Sequence, residues 1–197
     1  MMPTTEDELP EDNLTKSEYD AQVATCRELF VKKAADYGTA WRIMRPSSLT
    51  DQIFIKASRI RSIQVKGEAR VNEGVATELI GIVNYAAMAL IQCKLGFADA
   101  ADLSADAAVS LYDDQIERAY HLMADKNHDY DEAWRHMRVS SITDIILMKI
   151  HRTKEIEDHG GATLVSEGVE ANYLDMINYA VFALILMAEE AANNKEN

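Results

Sequence analysis

The sequence predicts an all-α protein in which two tandem three-helix repeats pack as an intrachain pseudo-dimeric helical bundle. The first observation is an internal repeat: Tyr19–Gln64 aligns without gaps on Tyr112–Glu157, with 20 identities in 46 positions. After one inserted residue, Glu73–Gln92 aligns on Glu167–Leu186. The second observation is that apolar residues recur at helical spacing in both copies, while no stretch alternates as a strand does. Each half is small, so we expect the two halves to share one interface.

The first repeat is expected to follow a disordered acidic tail over residues 1–15, which holds two prolines and few large apolar groups. Ser17 and Asp20 have the spacing of a capping box, which predicts that the first helix begins there. Gly38 interrupts the helical pattern. Ser48 and Asp51 repeat the capping-box spacing, which predicts the start of the second helix. The repeat therefore spans residues 16–95, with helices predicted over 17–35, 48–65 and 73–95.

The second repeat, residues 105–191, follows a short polar link over residues 96–104. Its helices are predicted over 105–126, 141–157 and 167–191, with a break at 127–130 that corresponds to the break at Gly38. Ser141 and Asp144 again have capping-box spacing, so Asp144, like Asp51, is predicted to cap a helix. The polar residues 192–197 are expected to fray. We expect the two repeats to form one compact domain.

Charge and hydropathy exclude some classes of binding partner and predict the location of the protein. There are 33 acidic and 20 basic residues, giving a formal net charge of −13, which disfavours duplex nucleic acid because such binders need a basic face. The longest apolar segment, Leu79–Leu95, is interrupted by polar residues and is short of the ~20 residues that cross a bilayer. The acidic start holds no apolar run typical of a signal peptide. We therefore expect a cytoplasmic protein without a membrane partner; the sequence leaves open whether it forms a homo-oligomer.

Most identities between the two copies are polar or charged, which core packing alone does not require. One group lies near the break after the first helix of each repeat, where an acid and aromatic rings could hold a base or a ribose; the alternative is that the tryptophans are core wedges. A second group is a lysine–arginine pair on each second helix, which could bind phosphates or could instead pair with acids across helices. The candidate substrate-binding residues in these groups are Asp36, Tyr37, Trp41, Lys56 and Arg59, with Asp129, Tyr130, Trp134, Lys149 and Arg152 in the second copy.

The third helix of each repeat places acids and an amide among apolar residues. Glu73, Glu78 and Asn84 lie along one helix, and Glu167, Asp175 and Asn178 lie along the other. A carboxylate in such surroundings is expected to be partly buried. Because an unpaired buried acid is costly, it should meet a cation, a metal ion or a base.

These motifs resemble those of the first nucleotide-modification-associated domain family, which is found in bacteria and phages. The family elements are K-x-x-DYG-x-x-W, then K-x-x-R on a helix, then D-x-x-NYA-x-x-A on the last helix. Here they are Lys33–Trp41, Lys56–Arg59 and Asn84–Ala89 in one half. In the other half they are Lys126–Trp134, Lys149–Arg152 and Asp175–Ala183. The tandem arrangement is similar to a bacterial subgroup of that family.

The chain also resembles, more distantly, the all-α nucleoside triphosphate pyrophosphatases, which include MazG-like enzymes and dimeric dUTPases. Those enzymes bind magnesium through an E-x-x-E pair and an E-x-x-D pair on consecutive helices. This chain keeps one acid of each E-x-x-D pair, at Glu78 and at Asp175, and has lysine–arginine pairs in place of E-x-x-E.

Three functions follow as alternatives. The first is a magnesium-dependent pyrophosphohydrolase of a nucleoside triphosphate or a modified nucleotide. The second is a non-catalytic module that binds a nucleotide or an anion without a divalent ion. The third is a structural protein with an internal salt-bridge network. For the hydrolase, the catalytic acids would be Asp175, Glu167, Glu73 and Glu78, the metal ligands would be the same four and Glu170, and Asn84 and Asn178 would join the substrate-binding set.

Overall fold

The computed structural model of the protein describes residues 11–67, 74–164 and 167–196. Within these ranges the chain forms six α-helices and two short 3₁₀ turns, at Ala40–Ile43 and Ala133–His136, and no strand. The helices are α1 (Glu11–Tyr37), α2 (Pro46–Lys66), α3 (Val75–Leu95), α4 (Ala105–Tyr130), α5 (Val139–Asp158) and α6 (Val169–Glu196).

The two repeats pack on each other about a pseudo-twofold axis, as predicted. Helix α3 packs along α6, and α2 packs along α5, so the third and second helices of the two halves meet at the centre. Helices α1 and α4 contact each other and flank both central helices. One continuous apolar core runs through both halves, with Leu79, Ile82, Tyr173 and Ile177 fully buried in it. The all-α, two-repeat fold class is confirmed.

A matched pair of hydrogen bonds joins the two halves. The Tyr19 hydroxyl donates to Asn178 Oδ1 at 2.8 Å, and the equivalent Tyr112 hydroxyl donates to Asn84 Oδ1, also at 2.8 Å. Each amide nitrogen donates to a carbonyl oxygen of the first helix of its own half, Cys26 for Asn84 and Ala119 for Asn178. The two asparagines thus satisfy buried polar groups at equivalent positions.

The structure corrects the predicted start of the first helix. Helix α1 already includes Glu11, so Ser17 lies inside the helix and does not cap it. Thr15 is buried and donates a hydrogen bond to the Glu132 carboxylate of the second half. Residues 11–15 are therefore helical, and the predicted disordered tail is wrong for them. The tail was predicted because the segment is rich in acids and prolines, which favour solvent. In the structure, Glu132 and Arg135 of the second half bond to Thr15 and fix this end of the helix.

The predicted capping boxes of the second helices are also wrong. Helix α2 begins at Pro46 and α5 at Val139, each two residues before the predicted serine, and neither helix has a side-chain cap. Proline suits the first turn of a helix because its missing N–H would lack a partner there. Asp51 instead accepts a hydrogen bond from Lys154 at 2.6 Å across the two halves, and Asp144 lies 3.8 Å from Arg61.

Three further helix ends differ from the prediction. Helix α4 continues through the predicted break at 127–130 and ends at Tyr130, because the chain turns one residue later through Asp131 and Glu132, both at φ 51°. Helix α6 continues through the residues expected to fray, to Glu196. Helix α1 includes Asp36 and Tyr37, so it runs two residues past the predicted end at residue 35. Gly38 follows it with a φ of 63°, at the position where the sequence predicted the interruption.

Helices α3 and α6 are long and apolar enough to span a membrane by composition, over Val75–Leu95 and Val169–Lys195. In each helix, 67% of the most apolar window is buried inside the bundle. Core helices of globular proteins pass the same test, so this is weak evidence for a membrane protein.

Candidate functional site

Two lysines share one buried carboxylate in the second half. Asp175, on α6, is 6% exposed. Lys126 of α4 and Lys149 of α5 each lie 2.6 Å from it, on different oxygens. Lys149 was predicted to be a substrate-binding residue, whereas Lys126 was recognised only as part of a motif and not as a site residue. Three different helices therefore bring two positive charges and one negative charge together, which leaves the cluster with a net charge of +1.

The first half also pairs a buried carboxylate with cations, but the acid lies at a different position. Glu78 of α3, 3% exposed, contacts Arg59 and lies 3.3 Å from Lys56. The position equivalent to Asp175 is Gly81, and a Cβ added there would lie 2.5 Å from Lys56 Cε. The Lys56 side chain thus fills the space that a carboxylate occupies in the second half. The buried acids predicted from the sequence face cations in both halves, as the salt-bridge alternative requires.

A cleft lies beside the cluster in the second half, with a volume of about 420 Å³. This volume is within the range of small-molecule sites, about 300–1,000 Å³. Helices α4 and α6 and the 3₁₀ turn between α4 and α5 form its walls. Its lining, mostly apolar, comprises Met123, Lys126, Asn127, Tyr130, Ala133, Trp134, Met137, Asp175, Asn178, Tyr179 and Phe182. We call it the second-half cleft. It brings together six residues at defined positions of the sequence motifs: Lys126, Tyr130, Trp134, Asp175, Asn178 and Tyr179.

Trp134 enters the cleft wall as a buried wedge. It is 6% exposed, its ring stacks on Phe182 with centroids 4.2 Å apart, and the Arg135 guanidinium lies 4.5 Å from the ring centroid. Two groups at these distances cannot share one ring face, so Phe182 and Arg135 cover opposite faces. A base therefore cannot stack on Trp134, and the core-wedge alternative describes it. Trp41, its equivalent, is half-buried beside Phe30.

The other aromatic and acidic candidates near the helix break are exposed. Tyr130 is 71% exposed and lines the cleft, while Tyr37, its equivalent, is 66% exposed. Asp36 and Asp129 are exposed at the ends of α1 and α4. Tyr130 thus offers a ring face that a ligand could reach. The exposed acids contribute no buried charge to the cleft.

Tyr179 is a cleft residue that the sequence analysis did not single out, although both motifs contain this tyrosine. It is half-buried, and its ring meets Phe182 edge-on. Burial raises the pKa of Tyr179, and the charge of Asp175 raises it further. Its hydroxyl therefore stays protonated at neutral pH and can donate a hydrogen bond.

The predicted metal ligands are not brought together in the part of the chain that the structure describes. Asp175 and Glu78 face lysine or arginine, Glu170 accepts from Arg118 at 2.9 Å, and Glu167 is exposed. Glu73 lies outside the described residues. Among the described residues, no three acidic, histidine or cysteine side chains form a group that could hold a metal ion. This donor set does not suit magnesium, which prefers carboxylate oxygens free of other cations.

The arginine that both repeats carry at positions 42 and 135 also has structural partners. Arg42 is 3% exposed and bonds to Asp102 at 2.7 Å and to Gln92. Arg135 bonds to Glu18, Glu132 and Glu189. Arg152 is exposed on α5 and does not line the cleft. Of the predicted phosphate-binding cations, only Lys149 belongs to the charge cluster beside the cleft.

Comparison with known proteins agrees with the internal repeat. The family model described as nucleotide modification associated domain 1 matches residues 33–93 and 126–187, one segment in each half, and more than half of the chain in total. The matched segments include both charge clusters and every residue that lines the second-half cleft except Met123. No curated protein and no solved structure matches the chain, and the resemblance to the all-α pyrophosphatases is not shown. The chain therefore belongs to the nucleotide modification associated domain 1 family and carries the domain twice in tandem.

Proposed function

We propose that the protein binds one nucleotide per chain in the second-half cleft, through its own lysines and aromatic rings rather than through a protein-held metal ion. The observation that carries the proposal is the lysine pair that shares Asp175 at the wall of an apolar cleft. Membership of a family associated with nucleotide modification supports the choice of ligand class.

The charge cluster can accept an anion without losing its internal pairing. Lys126 is half exposed, with 49% of its side chain accessible, whereas Lys149 is 15% accessible. An ammonium group has three donors, and Asp175 uses one of them on Lys126. The remaining donors of Lys126 and the net positive charge favour a phosphate group at this end of the cleft.

The aromatic residues of the cleft can receive the rest of a nucleotide. Tyr130 presents an exposed ring, and a base that stacks on such a ring gains about 1–3 kcal/mol. Asn178 is buried, and its amide bonds to Tyr19 and Ala119, so we assign it a structural role and not recognition of the base. The expectation that Asn178 and Asn84 contact substrate is therefore replaced by a structural role for both.

Among the described residues, the first half differs from the second at two positions that matter for this site. Gly81 stands in place of Asp175, and Lys56 fills that space and contacts Glu78 instead. Phe30 stands in place of Met123, and its ring stacks on Tyr112 at 4.4 Å. These differences support one site per chain, although the motifs occur twice.

A pyrophosphohydrolase remains the competing function. It would need carboxylates that hold magnesium between the α and β phosphates and activate water. Asp175 and Glu78 are already paired with lysine or arginine, so neither is available in this arrangement as a magnesium ligand or a base. A nucleoside triphosphate can bring its own magnesium, and for that reason both conditions belong in the test.

A thermal-shift panel separates these functions. Nucleoside mono-, di- and triphosphates are added with magnesium or with EDTA, to the wild type, to Lys126→Gln and to the matched control Lys33→Gln in the first half. A ligand at 100 times its dissociation constant stabilises by about 2.7 kcal/mol, so we expect a shift in EDTA that Lys126→Gln reduces and Lys33→Gln keeps. A shift that requires magnesium, with release of pyrophosphate, would support the hydrolase instead. No shift with any nucleotide would leave the structural function.

A further inference from the structure

The indole nitrogen of Trp134 lacks a hydrogen-bond partner. Within the described residues, Nε1 of Trp134 is the one buried side-chain nitrogen or oxygen for which the structure provides no acceptor. The residue is more than nine-tenths buried and lines the second-half cleft. A buried donor without an acceptor costs about 1–3 kcal/mol, so an acceptor that reaches it is favoured.

A ligand can meet Trp134 only at the edge of its ring, not at a ring face. Phe182 stacks on the ring and Arg135 lies over it, so both faces are covered. An acceptor must therefore approach in the plane of the indole. This geometry suits a carbonyl oxygen or a ring nitrogen of a planar ligand, whose lone pairs also lie in plane.

The cleft has two chemically different ends. Asp175 and Phe182 lie seven residues apart on the same face of α6, which separates them by about 10 Å along the helix axis. Lys126 marks the Asp175 end, and Trp134 marks the Phe182 end. The separation is comparable to that between the base and the 5′-phosphate of a mononucleotide.

A neutral acceptor fits the Trp134 end better than a phosphate does. Phe182, Met137 and Ala133 line the cleft with Trp134, and a charged phosphate would lose its hydration there. The nearby Arg135 is already paired with three glutamates, so it does not offset that loss. At the other end, the cluster of Lys126, Lys149 and Asp175 carries a net charge of +1. That charge can balance about half to two-thirds of the charge of one phosphate monoester, which carries about −1.5 to −2, but not that of a triphosphate.

We infer that the second-half cleft takes a nucleoside monophosphate whose base accepts a hydrogen bond from Trp134 Nε1 and whose phosphate lies against Lys126. The inference rests on the proposed function, because it specifies the ligand of the same cleft. It adds an orientation, a residue that recognises the base and a limit on the number of phosphates.

Indole NMR tests the inference directly, because the protein has only two tryptophans and Trp41 serves as an internal control. The ¹⁵N-labelled protein is titrated in EDTA with the four common ribonucleoside monophosphates, the matching triphosphates and ribose 5-phosphate. Trp134→Phe and Trp41→Phe assign the two indole N–H signals independently. We expect at least one monophosphate to shift the Trp134 signal downfield and to leave that of Trp41 unchanged. Ribose 5-phosphate should not produce this shift.

Affinity gives a second readout. Trp134→Phe should bind the same monophosphate about 5–10-fold more weakly, as expected for one lost hydrogen bond, while Trp41→Phe should bind it as the wild type does. In EDTA the triphosphate should bind no more tightly than the monophosphate.

Distinct results would overturn the two proposals. If a nucleotide binds and Lys126→Gln weakens it, but the Trp134 signal and the affinity of Trp134→Phe are unchanged, the inference is wrong and a bound water partners Nε1. If ribose 5-phosphate shifts the Trp134 signal as a nucleotide does, the orientation is reversed. Tighter binding of the triphosphate in EDTA contradicts the limit on phosphates. If no nucleotide binds, the proposed function itself fails.

Discussion

At the scale of single residues, identical polar side chains in the two repeats serve assembly as much as chemistry. In the hydrolase alternative, Asn84 and Asn178 were expected to contact substrate. Each instead accepts from a tyrosine of the other half and donates to a backbone carbonyl. The sequence could not distinguish these roles, since the partner tyrosine lies in the other repeat and only the packed structure brings it close.

The tyrosine–asparagine bonds predict equal losses at equivalent sites. Tyr19→Phe leaves Asn178 Oδ1 without its donor, and Tyr112→Phe does the same to Asn84, in surroundings that exclude water. Each change should lower the free energy of unfolding by about 1–3 kcal/mol, measured by urea denaturation. Because the two bonds are of equal length, we expect similar values. A loss below about 0.5 kcal/mol in both variants would contradict their structural role.

The burial of the acids could be predicted from the sequence, but their partners could not. Glu78 and Asp175 were expected to be partly buried and to need a cation or a metal ion. Helical periodicity gives the face on which a residue lies, not the side chain opposite it. The sequence therefore left open whether a lysine or a metal ion pairs with Asp175. The distances from Lys126 and Lys149 to Asp175 in the structure show that lysines do.

At the scale of elements, helix existence followed from periodicity, whereas helix ends depended on local backbone conformation. Gly38 ends α1 at φ 63°, and a glycine there is readable from the sequence. The equivalent turn after α4 uses Asp131 and Glu132 at positive φ, where non-glycine residues are uncommon. Hydrogen bonds from Thr15 and Arg135 to Glu132 hold that turn, and the sequence alone does not indicate them.

The two turns predict opposite effects of exchanging their residues. Asp131→Gly should raise the free energy of unfolding by up to about 1 kcal/mol, because glycine relieves the strain of the left-handed conformation. Gly38→Asp should lower it by a similar amount; an added Cβ meets nothing within 4 Å, so backbone strain alone decides. Thermal and urea denaturation of both variants measure the effects. Stabilisation by Gly38→Asp would contradict this explanation.

At the scale of the whole molecule, the pseudo-twofold interface is closely symmetric in geometry but not in charge. Glu157 accepts hydrogen bonds from Thr50 of the first half and from Tyr173, both at 2.9 Å. At the equivalent position, neutral Gln64 donates to Thr143 at 3.1 Å. Burial raises the pKa of Glu157, and the charges of Asp51 and Asp158 raise it further. The contact between Thr50 and Glu157 therefore has a carboxylate where the equivalent contact between Thr143 and Gln64 has an amide.

This difference predicts a pH-dependent effect of Glu157→Gln. Because the pKa of Glu157 is higher in the folded than in the unfolded state, folding takes up a proton between the two values, and the wild type loses that stability as the pH rises through the folded pKa. The variant should be the more stable protein at pH 7, and its advantage should shrink as the pH falls through the raised folded pKa of Glu157 toward the ordinary glutamate value. Urea denaturation at several pH values measures the difference.

The reverse exchange in the first half provides the control. Gln64→Glu places a carboxylate against Thr143 and should destabilise the protein at pH 7. A constant difference between Glu157→Gln and the wild type across the pH range would show that ionisation of Glu157 does not limit stability.

The repeat allowed the all-α fold and the two-half architecture to be predicted, because a motif displaced by 93 positions implies two similar units. The sequence left open whether the chain has one site or two. Gly81 and Lys56 replace the acid and the open space found beside Lys126. The effect of Gly81 could not be recognised in the sequence, because it depends on where the Lys56 side chain lies.

Calorimetric titration of the intact protein in EDTA tests the central claim, one nucleotide in the second-half cleft, most directly. The nucleotide that gives the largest thermal shift is titrated into the wild type, Lys126→Gln and Lys33→Gln. We predict one ligand per chain for the wild type and Lys33→Gln, and binding at least about 10-fold weaker for Lys126→Gln, which loses a charge-assisted contact. Two ligands per chain, or equal weakening by both variants, would contradict the account.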